Sequence, residues 1–162
     1  MKKRILALLV MLSILTPVIR ADWKPAGDKI KTPWAEKIDV KNVLPEYPRP
    51  LMERQRWQNL NGLWEYSILP LDAGQPDKFD GQILVPFAAE SSLSGVMKTV
   101  GENNNLWYQR AFNVPKDWKG DRIMLNFGAV DWKADVWVNG VKVGSHTGGY
   151  TPFSFDITNA LK

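Results

Sequence analysis

Apolar and polar positions alternate with period two through much of the second half of this chain. Tyr108, Arg110, Phe112 and Val114 alternate with Gln109, Ala111 and Asn113. Ile123, Leu125 and Phe127 alternate with Met124 and Asn126, and Ala134, Val136 and Val138 with Lys133, Asp135 and Trp137. Successive residues of a strand point to opposite faces, so this pattern predicts strands with two unlike faces. Asn139-Gly140 falls between Val138 and Val141. Asn-Gly tolerates the positive φ angles of a type I′ turn, which predicts an antiparallel hairpin over Asp135–Val143 with this pair at its tip. Proline cannot donate to a strand ladder, so Val114-Pro115 ends one strand and Val85-Pro86 another. Gly120 and Gly148-Gly149 punctuate the rest. Earlier, Leu63–Leu69 reads as a strand, Asp72–Gly81 as a polar loop, and Gln82–Val85 as a short strand. Phe87–Asn105 is a long irregular loop, a kind more often functional than idle. Leu51–Asn61 has two readings: one helical turn, or a segment docked on the sheet edge by Trp57, Leu60 and Leu63. The chain is predicted to be all-β.

The front of the chain follows another pattern. Lys2, Lys3 and Arg4 precede the apolar run Ile5–Leu15, Pro17 breaks it, and Ala21 is a fitting cleavage residue. Residues 1–21 are therefore expected to be a secretory signal peptide, giving a secreted or periplasmic product with no membrane association after cleavage. The run falls short of the roughly 20 apolar residues that span a bilayer. Residues 22–50, rich in Pro, Lys and Trp, read as an extended lead that lies across the domain or stays partly loose. Residues 51–162 form the domain proper.

The formal charge of +4 changes meaning once the leader is set apart. Four of the 21 Lys and Arg lie in residues 1–21, which contain no acid, and the 17 Asp and Glu balance the remainder. A nucleic-acid partner needs a basic footprint, and the mature chain has none to offer. There is no cysteine, so the fold rests on its core without disulfides. All eight Trp, six Phe and four Tyr lie beyond residue 21. Such rings fill cores or offer their faces to ligands, and core is the default.

Four segments, in order, carry a resemblance. LNGLWEYSI has Asn61-Gly62 turning into a strand that holds Trp64. ILVPFAAESSLSGV runs a strand into a V-P-x-x-x-E-S loop. NNNLWYQRAFNVPKDWKG contains W-Y-x-R-x-F-x-V-P, and GAVDWKADVWVNGVKVGSHTGGYTPFSFDIT is the most specific stretch. Together they resemble the amino-terminal sugar-binding domain of glycoside hydrolase family 2, the family of β-galactosidases, β-glucuronidases and β-mannosidases. The resemblance implies an all-β jelly-roll (galactose-binding-like) β-sandwich with Trp64 in its core. It also implies that the sandwich lacks its last strands at Lys162, and that the rest of such an enzyme is an immunoglobulin-like sandwich and a catalytic (β/α)₈ barrel. A barrel takes roughly 250 residues, more than this chain has to give.

Candidate chemistry is sparse. Glycoside hydrolysis normally uses two carboxyl groups, roughly 5 Å apart in retaining enzymes. The resemblance places both on the barrel, so no catalytic residue is expected here. Glu90 reads as a carboxylate that accepts backbone N–H groups within its own loop. His146 is the only histidine, which argues against zinc, and no nucleophile-elbow motif supports a triad. No metal and no cofactor are expected. Candidate substrate-binding residues are Asn104, Asn105, Asp131 and His146, each with a plainer reading beside it. The Asn103–Asn105 run is ordinary turn chemistry, or amides that reach sugar hydroxyls. Asp131 caps a turn or bulge, or lies on the rim of a substrate cleft. His146 bonds within a strand turn, or faces sugar. Arg110 should be paired, since a lone buried charge is costly.

The functional expectation is a non-catalytic, sugar-binding amino-terminal part of a secreted family 2 glycosidase, with a β-glycoside and the remaining domains of the parent enzyme as partners. A free-standing carbohydrate-binding module, with an exposed aromatic platform, and a sandwich with no sugar role remain open beside it.

Overall fold

The alternation in Leu63–Leu69 is realised as the longest strand, β1 (Gly62–Pro70). It pairs antiparallel on one side with β2 (Gly81–Val85), from Gly62 opposite Val85 to Tyr66 opposite Gly81. On the other side it pairs antiparallel with β3 (Asn104–Gln109), from Glu65 opposite Gln109 to Pro70 opposite Asn104. The computed structural model describes residues 22–46 and 54–162. The expected leader, residues 1–21, lies outside the described residues, as do Pro48 and Pro50 at the end of the lead.

The core is built on this sheet. Ile83 and Leu84 of β2 are both fully buried. They are consecutive in a strand, so both faces of β2 are covered. Ile83 packs with Tyr66 and Ala89, and Trp64, Ile68, Val96, Val100 and Leu106 close around them. Each such aliphatic side chain contributes on the order of 1.5–3 kcal/mol by leaving water. The expected core residue Trp64 packs half-buried against this cluster, its indole N–H donating to the Leu60 carbonyl at 2.9 Å.

The remaining strands form two ribbons. β4 (Met124–Phe127) pairs antiparallel with β7 (Phe153–Asp156). β5 (Lys133–Val138) and β6 (Val141–Thr147) form the expected hairpin, with a register irregularity between Val136 and Trp137. Asn139 and Gly140 both take positive φ, 51° and 82°, as the I′ turn requires. The ribbons are joined by ring packing: Phe155 lies so close to Gly144 that a Cβ there would sit 2.1 Å from the ring. Trp107 of β3 stacks on Trp137 of β5, centroids 5.6 Å apart, and so ties the hairpin to the first sheet. The architecture is the all-β sandwich expected, of antiparallel strands.

Two expectations need correction. The strand read over Tyr108–Val114 is displaced: β3 begins at Asn104, inside the expected loop, and stops at Gln109. Just beyond its end the Arg110 Nη1 donates to the carbonyls of Leu60 at 2.7 Å and Asn61 at 2.9 Å. The lead is not wholly extended. α1 (Pro33–Glu36) is a single helical turn, started by Thr32 Oγ1 accepting the Ala35 N–H and by Pro33 at its first position. No helix forms over the described part of Leu51–Asn61, residues 54–61. Half-buried Trp57 and Leu60 fit the docked reading. The lead does lie across the domain, with the Ala26 N–H donating to the Ser92 carbonyl at 2.8 Å.

An open concavity of about 3080 Å³ separates the three-stranded sheet from the ribbons. Trp57, Trp107, Phe112, Leu125 and Trp137 line it. Small-ligand pockets run to about 300–1,000 Å³, so this concavity exceeds the usual size of a site for one sugar.

Candidate functional site

Two loops meet at one end of the β5–β6 hairpin. The first, residues 128–132, enters β5; the second, residues 148–152, leaves β6 for β7. Gly148 takes φ +122°, and its N–H donates to the Trp132 carbonyl at 2.8 Å. Gly149 admits the Asp131 carboxylate: a Cβ on Gly149 would lie 2.5 Å from Asp131 Oδ1. The Gly-Gly pair thus lets the loops close on each other, where any side chain would hold them apart.

His146 supports this corner from behind. Its ring stacks on Phe153 at 4.2 Å and 16°, and Phe153 stacks on Phe127 at 4.7 Å and 13°. Its Nε2 lies 3.1 Å from Thr151 Oγ1. The reading of His146 as a histidine bonded within a strand turn describes this geometry. Asp131 is exposed and sits in a bend just before β5. Thus the structure brings Asp131 and His146 to one corner, through Gly148 and Gly149.

Asn104 and Asn105 belong to β3 instead. Asn104 Nδ2 donates to the Val100 carbonyl at 2.7 Å, and Asn105 Nδ2 to the Leu71 carbonyl at 3.3 Å. Both amides are spent on the connections that flank the β1–β3 pairing. Glu90 behaves as read, its Oε1 accepting the Val100 N–H at 3.4 Å. Arg110 is paired, with backbone carbonyls, and its burial pulls its pKa down from the ordinary value.

The other perturbed groups are set by their immediate neighbours. Asp135 is held below the usual carboxylate range, first by the Ser145 hydroxyl and then by Lys142. Asp156 is lowered to about 2 by the Thr158 hydroxyl and backbone N–H and by Arg122. Burial, and then the Glu90 charge, push the Tyr108 hydroxyl up to about 12.

Sequence reasoning passed over the two most exposed rings of this corner. Trp132 is 67% exposed and Tyr150 96%. A signal was there to read: a tyrosine between a Gly-Gly pair and Thr151-Pro152 sits at a loop tip, where no core can reach it.

Comparison with known proteins places these features in a family. Residues 95–162 match the family model described as glycosyl hydrolases family 2, sugar binding domain. The chain is 35% identical over 118 residues to a β-glucuronidase of Paenibacillus borealis, which covers 69% of this chain and 20% of that protein. It is 36% identical over 110 residues to a β-galactosidase of Thermoanaerobacter pseudethanolicus, covering 64% of this chain and 14% of the relative. Among solved structures, a Lactobacillus rhamnosus β-glucuronidase superposes with a TM-score of 0.56 at 33% identity, over 70% of this chain and 20% of that one. The chain spans about a fifth or less of the length of these relatives.

Proposed function

The chain belongs to the sugar-binding domains of glycosyl hydrolase family 2, matched over residues 95–162, and from that premise we propose that it is a non-catalytic part of a secreted β-glycosidase. The observation that carries this reading is the alignment itself, which takes up 69% of this chain but only 20% of a β-glucuronidase. The domain's role is to bind or border a β-glycoside while other domains break the bond. Secretion is proposed from the basic and apolar pattern of residues 1–21, with the mature chain starting at Asp22.

Two measurements test the proposal. The purified chain should release no chromophore from p-nitrophenyl β-glucuronide or β-galactoside above an empty-vector control. Turnover above it would sink the non-catalytic reading. The DNA beyond the Lys162 codon, or a neighbouring frame, should encode a (β/α)₈ barrel, and its absence from the locus would remove the parent enzyme. Amino-terminal sequencing of exported protein should begin at Asp22.

A further inference from the structure

Asparagine followed by glycine carries a chemistry of its own. The amide carbon Cγ is within reach of the next backbone nitrogen, and a glycine there has no side chain to bar the approach. Two such pairs occur in the chain, Asn61-Gly62 and Asn139-Gly140. The fold treats them in opposite ways. Asn61 is half-buried: its Nδ2 donates to the Val43 carbonyl at 3.4 Å, its N–H to Asn59 Oδ1 at 2.8 Å, and its carbonyl accepts from Arg110 Nη1 at 2.9 Å. Gly62 is buried in β1 opposite Val85, and a Cβ on it would lie 2.9 Å from Arg110 Nη1 and 3.3 Å from the Val40 carbonyl. Asn139 and Gly140 are both exposed. Gly140 lies between β5 and β6, outside their ladder, with nothing within 4 Å of a Cβ built on it. Asn139 Nδ2 donates to the Ala160 carbonyl at 2.8 Å, in a contact open to water.

We propose that Asn139 is a self-modification site, where water converts the amide to aspartate and isoaspartate and the change unfastens the β5–β6 hairpin. The Gly140 nitrogen bonds to Asn139 Cγ as the bond from Cγ to Nδ2 breaks. Nδ2 leaves as ammonia, carrying the proton that the Gly140 nitrogen gives up. Water then opens the cyclic imide. Opening at Cγ leaves aspartate; opening at the main-chain carbonyl leaves isoaspartate, with the Asn139 Cβ now in the main chain. The sum is water taken up and ammonia released, with no oxidant or reductant. Either product loses the donor that met Ala160, because an ionised carboxylate only accepts and cannot bond a carbonyl oxygen. Isoaspartate also lengthens a loop whose geometry sets the register of the strands it joins. The lost contact ties the hairpin tip to the 3₁₀ turn Thr158–Ala160. Its two ends adjoin the buried apolar side chains of the ribbons: Val138 precedes Asn139, and the Ala160 N–H donates to the Ile157 carbonyl at 2.9 Å. The loss therefore falls where the ribbons have little other burial to hold them.

The test incubates the full chain at mildly alkaline pH, folded and in concentrated guanidinium chloride, and follows each asparagine by peptide mass mapping. In the folded chain Asn139 should convert faster than Asn61 by about tenfold or more, a ratio equivalent to about 1.4 kcal/mol of protection. In guanidinium, which frees both pairs alike, the two rates should come together. Isoaspartate at position 139 should be methylated by protein isoaspartyl methyltransferase. Hydrogen exchange of the aged chain, and of Asn139→Asp, which carries one product from the start, should be faster than in the fresh parent across β5, β6 and Ile157–Ala160. Exchange in the β1–β2 pairing should stay as it was. The proposal is overturned if Asn139 converts no faster than Asn61 in the folded chain, if the product contains no isoaspartate, or if the aged chain exchanges like the fresh one.

Discussion

Individual side chains in this domain do more to fasten connections than to form strands. Just after β3 Arg110 takes two carbonyls, and Asn104 and Asn105 tie the neighbouring connections to the strand. Asp156 fastens the chain after β7: it accepts from the Thr158 hydroxyl at 2.6 Å, the Thr158 N–H at 3.0 Å and Arg122 at 2.7 Å. Its pKa falls from 3.8 to about 2. The folded state therefore binds fewer protons than the unfolded one between those values. Whatever stability the contact gives is present above about pH 4 and lost as pH falls through about 2. The melting midpoint of the parent should drop more steeply between pH 4 and pH 2 than that of Asp156→Asn. Parallel curves would show that the network does not favour the folded state.

Among the elements, the two ribbons depend on glycine in different ways. Gly140 needs its conformation: φ is +82°, and a Cβ there would meet nothing within 4 Å. Gly140→Val tests backbone strain alone and should cost more than about 1 kcal/mol, read as a lower midpoint in urea or heat. An unchanged midpoint would contradict the I′ turn. Gly144 needs its space. Its φ is not in the left-handed region, but Phe155 occupies the position of a Cβ. Gly144→Ala should cost about 1–3 kcal/mol by pushing β6 and β7 apart. Restoring the midpoint with a second substitution, Phe155→Leu, would locate the cost in that contact.

At the scale of the whole molecule, the packing is uneven. Among the described residues the fully buried side chains Ile83, Leu84 and Ser67 belong to the β1–β2–β3 sheet, while the ribbons contribute only Val138 and, after β7, Ile157. Stability should follow that gradient, because local opening is easiest where few apolar groups are buried. Trp57, Trp107 and Phe112 line the concavity between the layers. Among the described residues the buried indole N–H groups of Trp57 and Trp107 have no hydrogen-bond partner. The isolated chain should accordingly bind the dye ANS and associate as its concentration rises, measured by fluorescence and sedimentation. A monodisperse chain that leaves ANS dark would show the interior to be closed in solution.

How much of this was legible before any coordinates depends on the range of the interaction that decides it. The hairpin, the first strand, the polar loop and the Glu90 contact are local. Period-two alternation, an Asn-Gly pair or a loop carboxylate near backbone donors settles each within a few residues. The end of β3 was not legible. Tyr108–Val114 keeps its alternation past Gln109 apart from Arg110 and Ala111, and the Arg110 guanidinium is bonded to carbonyls about 50 positions earlier. The same holds for the candidate site. Sequence singled out Asp131 and His146 as separate residues, and the fold puts them at one corner because two glycines let the loops touch. It assigned Asn104 and Asn105 to a loop, and the β1–β3 register draws them into a strand. Sequence by itself determined the β character, the family and the turn chemistry, because those are written in short patterns. Which rings stay wet, which amides are spent and which loops meet were decided only by tertiary structure, because each is set by a partner far along the chain.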